Sequence, residues 1–83
     1  MADKAIVTIY SRPGCHLCDE AVQALYESGC TERCTLHEVN IEDDPELEAR
    51  YSHDIPVILI DGVEAFRHHV SAKDFRERLK RRD

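Results

Sequence analysis

The sequence predicts an α/β fold, a four-stranded mixed sheet with helices on both faces in the order βαβαββα. Three observations lead there. A β-branched run, Ala5 to Tyr10, turns at Pro13-Gly14 into a stretch with helical apolar spacing. A second apolar run, Pro56 to Ile60, meets Asp61-Gly62, the commonest two-residue hairpin signal. Strand, helix and strand in succession require a right-handed parallel crossover, whereas the hairpin makes the second half antiparallel.

Each element has a local cause. The first strand stops where Ser-Arg-Pro-Gly supplies turn formers. From Cys15 to Ser28, Leu17, Ala21, Ala24 and Leu25 recur at i, i+4, i+7 and i+8, and Gly29 offers a left-handed cap. The second strand is expected over Cys34 to Ile41. Asp44-Pro45-Glu46 then starts a short helix with proline in its first turn, acids at the positive end of the dipole, and Leu47 and Tyr51 as its apolar edge. The hairpin pairs Pro56 to Ile60 with Val63 to Arg67. Ser71-x-x-Asp74 resembles a capping box for a last helix that turns Phe75 and Leu79 inward and ends at Lys80, Arg81 and Arg82.

Eighty-three residues suit one domain, 1–83, and no apolar run approaches the roughly 20 residues that cross a bilayer. No presequence is visible at the start, so a cytoplasmic protein without membrane contact is expected. The net charge of -6 argues against nucleic acid as a partner. Up to Phe66 there are four basic residues against fourteen acidic ones, and from Arg67 onward seven against three, so a basic tail closes an acidic body. The four cysteines are the most informative feature, because a reducing compartment does not keep structural disulfides.

Cys15-His16-Leu17-Cys18 falls where the first strand turns into the first helix. A thiol there faces unpaired backbone N–H groups and the positive end of the helix dipole, which stabilise its thiolate. Cys15 is read as the attacking thiol. Cys18, one turn inside the helix, is placed to attack a mixed disulfide on Cys15 and release the substrate reduced. Arg12 and His16 add positive charge nearby, opposed in part by Asp19 and Glu20. Ile55-Pro56 stands at the entrance of an apolar strand, where a cis proline bends the chain and leaves backbone groups to hold an extended substrate. Arg12, His16, Ile55 and Pro56 are the expected substrate contacts.

Tyr10-Ser-Arg-Pro-Gly-Cys-His-Leu-Cys-Asp-Glu-Ala21, Val39-Asn-Ile-Glu-Asp-Asp-Pro-Glu-Leu47 and Ile55-Pro-Val-Ile-Leu-Ile-Asp-Gly62 resemble the small bacterial glutaredoxin-like proteins of the thioredoxin superfamily. The likeness runs from Ala5 to the last helix. It implies a thioredoxin/glutaredoxin-like fold and thiol–disulfide exchange, with Cys15 attacking and Cys18 resolving. Arg12 stands where glutaredoxins usually have lysine, and Ile55-Pro56 where they have Val-Pro with a cis bond. His16-Leu17 replaces their Pro-Tyr and the Gly-Pro of thioredoxins. Those classes lie near roughly -200 and -270 mV, a difference of more than about a hundredfold in equilibrium constant, so neither potential transfers. Where glutaredoxins carry Gly-Gly and an acid for glutathione, this chain reads His68-His69-Val70-Ser71.

The expected function is therefore disulfide exchange on a protein or small-thiol substrate by a monomer that needs no cofactor. An unidentified reductase or glutathione recycles it; glutathione stays a candidate co-substrate although its usual determinants are missing. The alternative is a non-catalytic module on the same fold that senses redox state or holds a metal. A zinc site of Cys15, Cys18, Cys30 and Cys34 is disfavoured, because the helix between the pairs sets them roughly 18 Å apart at about 1.5 Å per residue. Iron–sulfur carriage is disfavoured by the second cysteine, Cys18. His37 is read as a packing residue, and His53, His68 and His69 as solvated loop residues.

Overall fold

The structure is a computed structural model that describes residues 4–29 and 31–81. Residues 1–3, Cys30, Arg82 and Asp83 lie outside the described residues. Strand β1 is Ala5–Ser11, helix α1 His16–Glu27, strand β2 Cys34–Asn40, helix α2 Pro45–Tyr51, strand β3 Val57–Ile60, strand β4 Val63–Arg67 and helix α3 Ala72–Lys80. Short 3-10 turns at Thr31–Arg33 and Ile41–Asp43 flank β2. The sheet order is β2-β1-β3-β4, with β1 parallel to β2 and antiparallel to β3, and β3 antiparallel to β4.

Alternation along β1 sends Val7, Ile9 and Ser11 to one face, all buried, and Ile6, Thr8 and Tyr10 to the other. The first face meets α1 and α3. Ala21, Leu25, Phe75 and Leu79 close over Val7, Ile9, Ile58 and Ile60 in the main core. At the carboxyl end of β1 the second face meets α2, where the rings of Tyr10 and Tyr51 lie 5.0 Å apart between centroids. Beyond α2 no described helix covers that face, and Ile6 is 51% exposed.

Local chemistry accounts for the junctions. Asp61 and Gly62 both take positive φ, 53° and 84°, as the primed hairpin turn requires. Gly29 caps α1 at φ 75°. The Asp44 carboxylate accepts the N–H of Glu46, with Pro45 in the first turn of α2, and Ser71 Oγ accepts the N–H of Asp74 to open α3.

Four expectations shift. The buried stripe of α1 is Cys18, Ala21 and Leu25, while Leu17 is 40% exposed. Ile41 and Ile55 pack behind the start of the helix, so Cys18 turns inward and Leu17 outward. Ile41 heads a 3-10 turn and is not the end of β2, because Asn40 Oδ1 takes the N–H of Glu42 and turns the chain there. Pro56 precedes β3, which starts at Val57, since an imide nitrogen has no proton for the ladder. His37 is exposed, because β2 is an edge strand and none of the described residues covers its second face at that point.

Candidate functional site: a dithiol capping the first helix

The site begins with a turn. Cys15 N–H donates to the carbonyl of Arg12 at 3.2 Å, with Pro13 and Gly14 between them and Gly14 at φ 80°. Proline in the second position and a positive-φ residue in the third are what a type II turn requires. Nothing lies within 4 Å of where a Gly14 side chain would start, so glycine serves the backbone there and not a close approach. The turn delivers Cys15 as the N-cap of α1, in extended conformation, and its Sγ accepts the N–H of Cys18 at 3.2 Å. A sulfur thus takes the place that serine or aspartate usually fills at a helix start.

The two cysteines are joined as a disulfide with Cα atoms 5.2 Å apart. Their environments differ. Cys15 is half-buried, whereas Cys18 is 1% exposed and packed with Ile41 and Ile55. Tyr10, Leu47 and Tyr51 pack against the same cluster. Ile41 escaped the sequence reading because it looked like the last residue of a strand. The only hint lay in Asn40 two residues before the acids Glu42, Asp43 and Asp44, a pattern that suits a capped turn.

Ile55 is 7% exposed behind Cys18, and the Ile55–Pro56 peptide bond is cis. The carbonyl of Pro56 accepts the N–H of His68 at 2.8 Å. Asp54 reaches the same segment, with Arg67 at 3.1 Å and His68 Nε2 at 3.8 Å, while Arg67 also grips Glu64 at 2.7 Å. The hydrogen bond from Arg67 holds the Glu64 carboxyl below its ordinary 4.5, against an opposing effect of desolvation. His68, at φ 72°, is an exposed loop residue whose Nε2 comes within 3.8 Å of Asp54.

The other candidates stand apart. The His16 side chain is 89% exposed and leans toward Glu20, 3.7 Å away, one turn along α1. Arg12 is exposed on the rim of a cleft of about 270 Å³ that runs past the turn toward β2. Ser11, Asp19, Glu38 and Asn40 line that cleft with Arg12 and Gly14. Sequence reasoning missed Glu38 and Asn40, which only the parallel pairing of β1 with β2 brings to the dithiol end. Among the described residues no three His, Cys, Asp or Glu side chains gather as a metal ion would need. None of the described helices is long and apolar enough to cross a membrane.

Residues 6–80 match the glutaredoxin-like domain family (DUF836). The chain belongs to the glutaredoxin-like family. A glutaredoxin-like protein of Dictyostelium discoideum, a YDR286C homolog, is 31% identical over 70 residues, which cover 77% of this chain and 65% of that relative. This chain therefore spans just under two thirds of its relative's length. The crystal structure of the structural-genomics target XcR50 from X. campestris superposes with a TM-score of 0.77 at 32% identity, covering 89% of this chain and 95% of that one. Thioredoxin-2 of the malaria parasite has the same fold at 21% identity, with a TM-score of 0.68 over 96% of this chain and 84% of its own. The glutaredoxin-like chain thus has a thioredoxin fold with a cysteine pair at disulfide distance at the start of its first helix.

Proposed function

We propose that the protein is a thiol–disulfide oxidoreductase that cycles Cys15 and Cys18 between dithiol and disulfide. The observation that carries the reading is the asymmetry of the pair: a half-buried sulfur capping a helix, bonded to a buried sulfur one turn on. In the reduced protein the Cys15 thiolate is stabilised by the N–H of Cys18 and by the helix dipole. It attacks a substrate disulfide, forms a mixed disulfide and expels one thiolate. Cys18 loses its proton and attacks the Cys15 sulfur, expelling the second thiolate and leaving the Cys15–Cys18 disulfide. Two electrons pass from protein to substrate, and a thiol reductant returns them.

The substrate on this reading is a disulfide-containing protein or a small disulfide, with Arg12, His16, Ile55 and Pro56 as its proposed contacts. No further cofactor enters the cycle, and recycling falls to a reductase or to glutathione. Cytoplasmic residence follows from the same reading, since a reducing compartment supplies the electrons.

The test is equilibration in a series of glutathione redox buffers, acid quenching, alkylation and mapping of each cysteine by mass spectrometry. A reversible two-electron transition assigned to Cys15 and Cys18 is expected. With small disulfides as substrate, Cys15→Ser is inactive and Cys18→Ser accumulates a mixed disulfide on Cys15. A pair that oxidises but never turns over substrate identifies a redox sensor instead.

A further inference from the structure

We infer that the cleft beside the dithiol selects disulfides that carry a cationic group close to the sulfur. The inference rests on the oxidoreductase reading and names the substrate class of that site. Position is the first argument. The cleft is bounded by residues on both sides of Cys15 in the chain, Arg12 and Gly14 before it and Asp19 one turn after it, and neither cysteine lines it, so what reaches it from a mixed disulfide on Cys15 is the arm beyond the sulfur. Size is the second. About 270 Å³ is below the range of drug-sized pockets and suits an aminoalkyl arm or a single basic side chain.

Charge decides the class. The wall holds two carboxylates, Asp19 and Glu38, against the one guanidinium of Arg12. Ser11, 5% exposed at the base, donates its hydroxyl to Glu38 at 3.3 Å and so holds that carboxylate against the sheet. Asn40 is fixed as well, its Oδ1 accepting the N–H of Glu42 at 2.9 Å. Asp19 and Arg12 enter no ion pair among the described residues. An ammonium arm therefore meets two acids of which one is held in place, and an anionic arm meets Arg12 and is repelled by both.

The step is balanced without another reagent. The reduced dithiol attacks R–S–S–R, forms Cys15–S–S–R with release of one RS⁻, and closes to the Cys15–Cys18 disulfide with release of the second. A unit charge pair at about 4 Å in water is worth roughly a factor of five, so exchanging an attractive for a repulsive arm is worth on the order of twentyfold.

The experiment reacts the reduced protein in single turnover with cystamine, cystine, hydroxyethyl disulfide and 3,3′-dithiodipropionate. Each rate is divided by the rate of the same disulfide with mercaptoethanol, which removes intrinsic reactivity. The expected order runs from cystamine down to dithiodipropionate, with cystine and the neutral disulfide between. The cystamine preference is expected to fall about fivefold in Asp19→Asn or Glu38→Gln and to persist in Glu32→Gln, which removes the same charge at the far end of the sheet. Failure to exchange with any of the four overturns the cleft inference, and overturns the oxidoreductase reading as well when the Cys15–Cys18 pair also shows no reversible transition in glutathione buffers. Exchange without charge preference, a preference that survives both cleft substitutions, or an equal loss in Glu32→Gln overturns the cleft inference alone.

Discussion

Ile55 forms the apolar wall behind Cys18, and cutting it to alanine tests whether that wall both stabilises the fold and shields the sulfur. Ile55 is 7% exposed, so its truncation removes nearly a whole buried side chain. Ile→Ala at buried sites costs about 2–5 kcal/mol, and the cluster of Cys18, Ile41 and Ile55 is small enough to relax in part, which places the loss near 3 kcal/mol. A chain of 83 residues has a total stability of roughly 4–12 kcal/mol, so the variant stays folded at room temperature. The midpoint of thermal unfolding falls by about 12–24 °C. Ile6→Ala is the matched control. The same atoms leave a side chain that is 51% exposed, and the expected loss is about 1 kcal/mol. Circular dichroism melts give both numbers. The second readout is the rate of Cys18 alkylation in a Cys15→Ser background, assigned by peptide mapping. Opening the wall raises that rate by about tenfold, equivalent to 1.4 kcal/mol of lost protection. Equal losses in the two variants, or an unchanged alkylation rate, refute the assignment of Ile55 as the wall.

Other outcomes follow from the junctions. Gly14→Ala forces a side chain into φ 80° with no neighbour to strike, so it costs about 1–2 kcal/mol of stability in denaturant titrations, and Gly14→Asn recovers part of it. Ser71→Ala removes the cap of α3, which carries Phe75 and Leu79 into the core, and costs about 1 kcal/mol in the same assay. The Glu64 carboxyl lies below its ordinary 4.5 in the folded protein, so its contribution is present above that value and is lost as pH falls through the lowered one. Glu64→Gln accordingly removes that contribution in the neutral region and flattens the acid limb of the stability profile below about pH 4.5, so the two proteins converge in acid, as melts over a pH series will show.

How much of this was legible depends on the range of the interaction. The elements and their order follow from contacts within a few residues: the β-branched run of β1, Pro45 and Asp44 at the start of α2, Asp61-Gly62 in the hairpin and Ser71 capping α3. The dithiol is legible for the same reason, because Cys15 and Cys18 are one helical turn apart and the turn before them is written in Pro13 and Gly14. Phase was harder. The periodic pattern around α1 fits a stripe starting at Leu17 almost as well as one starting at Cys18, and what breaks the tie is Ile41 and Ile55 waiting behind the helix.

Sequence by itself determined the α/β class, the strand–helix–strand start, the antiparallel finish and the place of the reactive pair, since propensity, capping and turn chemistry are properties of neighbours in the chain. Tertiary structure alone decided which of the two cysteines is buried against what, that Glu38 and Asn40 share a cleft with Asp19, and that Asp54 ties Arg67 and His68. Those juxtapositions join residues more than a dozen positions apart, and they exist only once β1 has taken β2 on one side and β3 on the other.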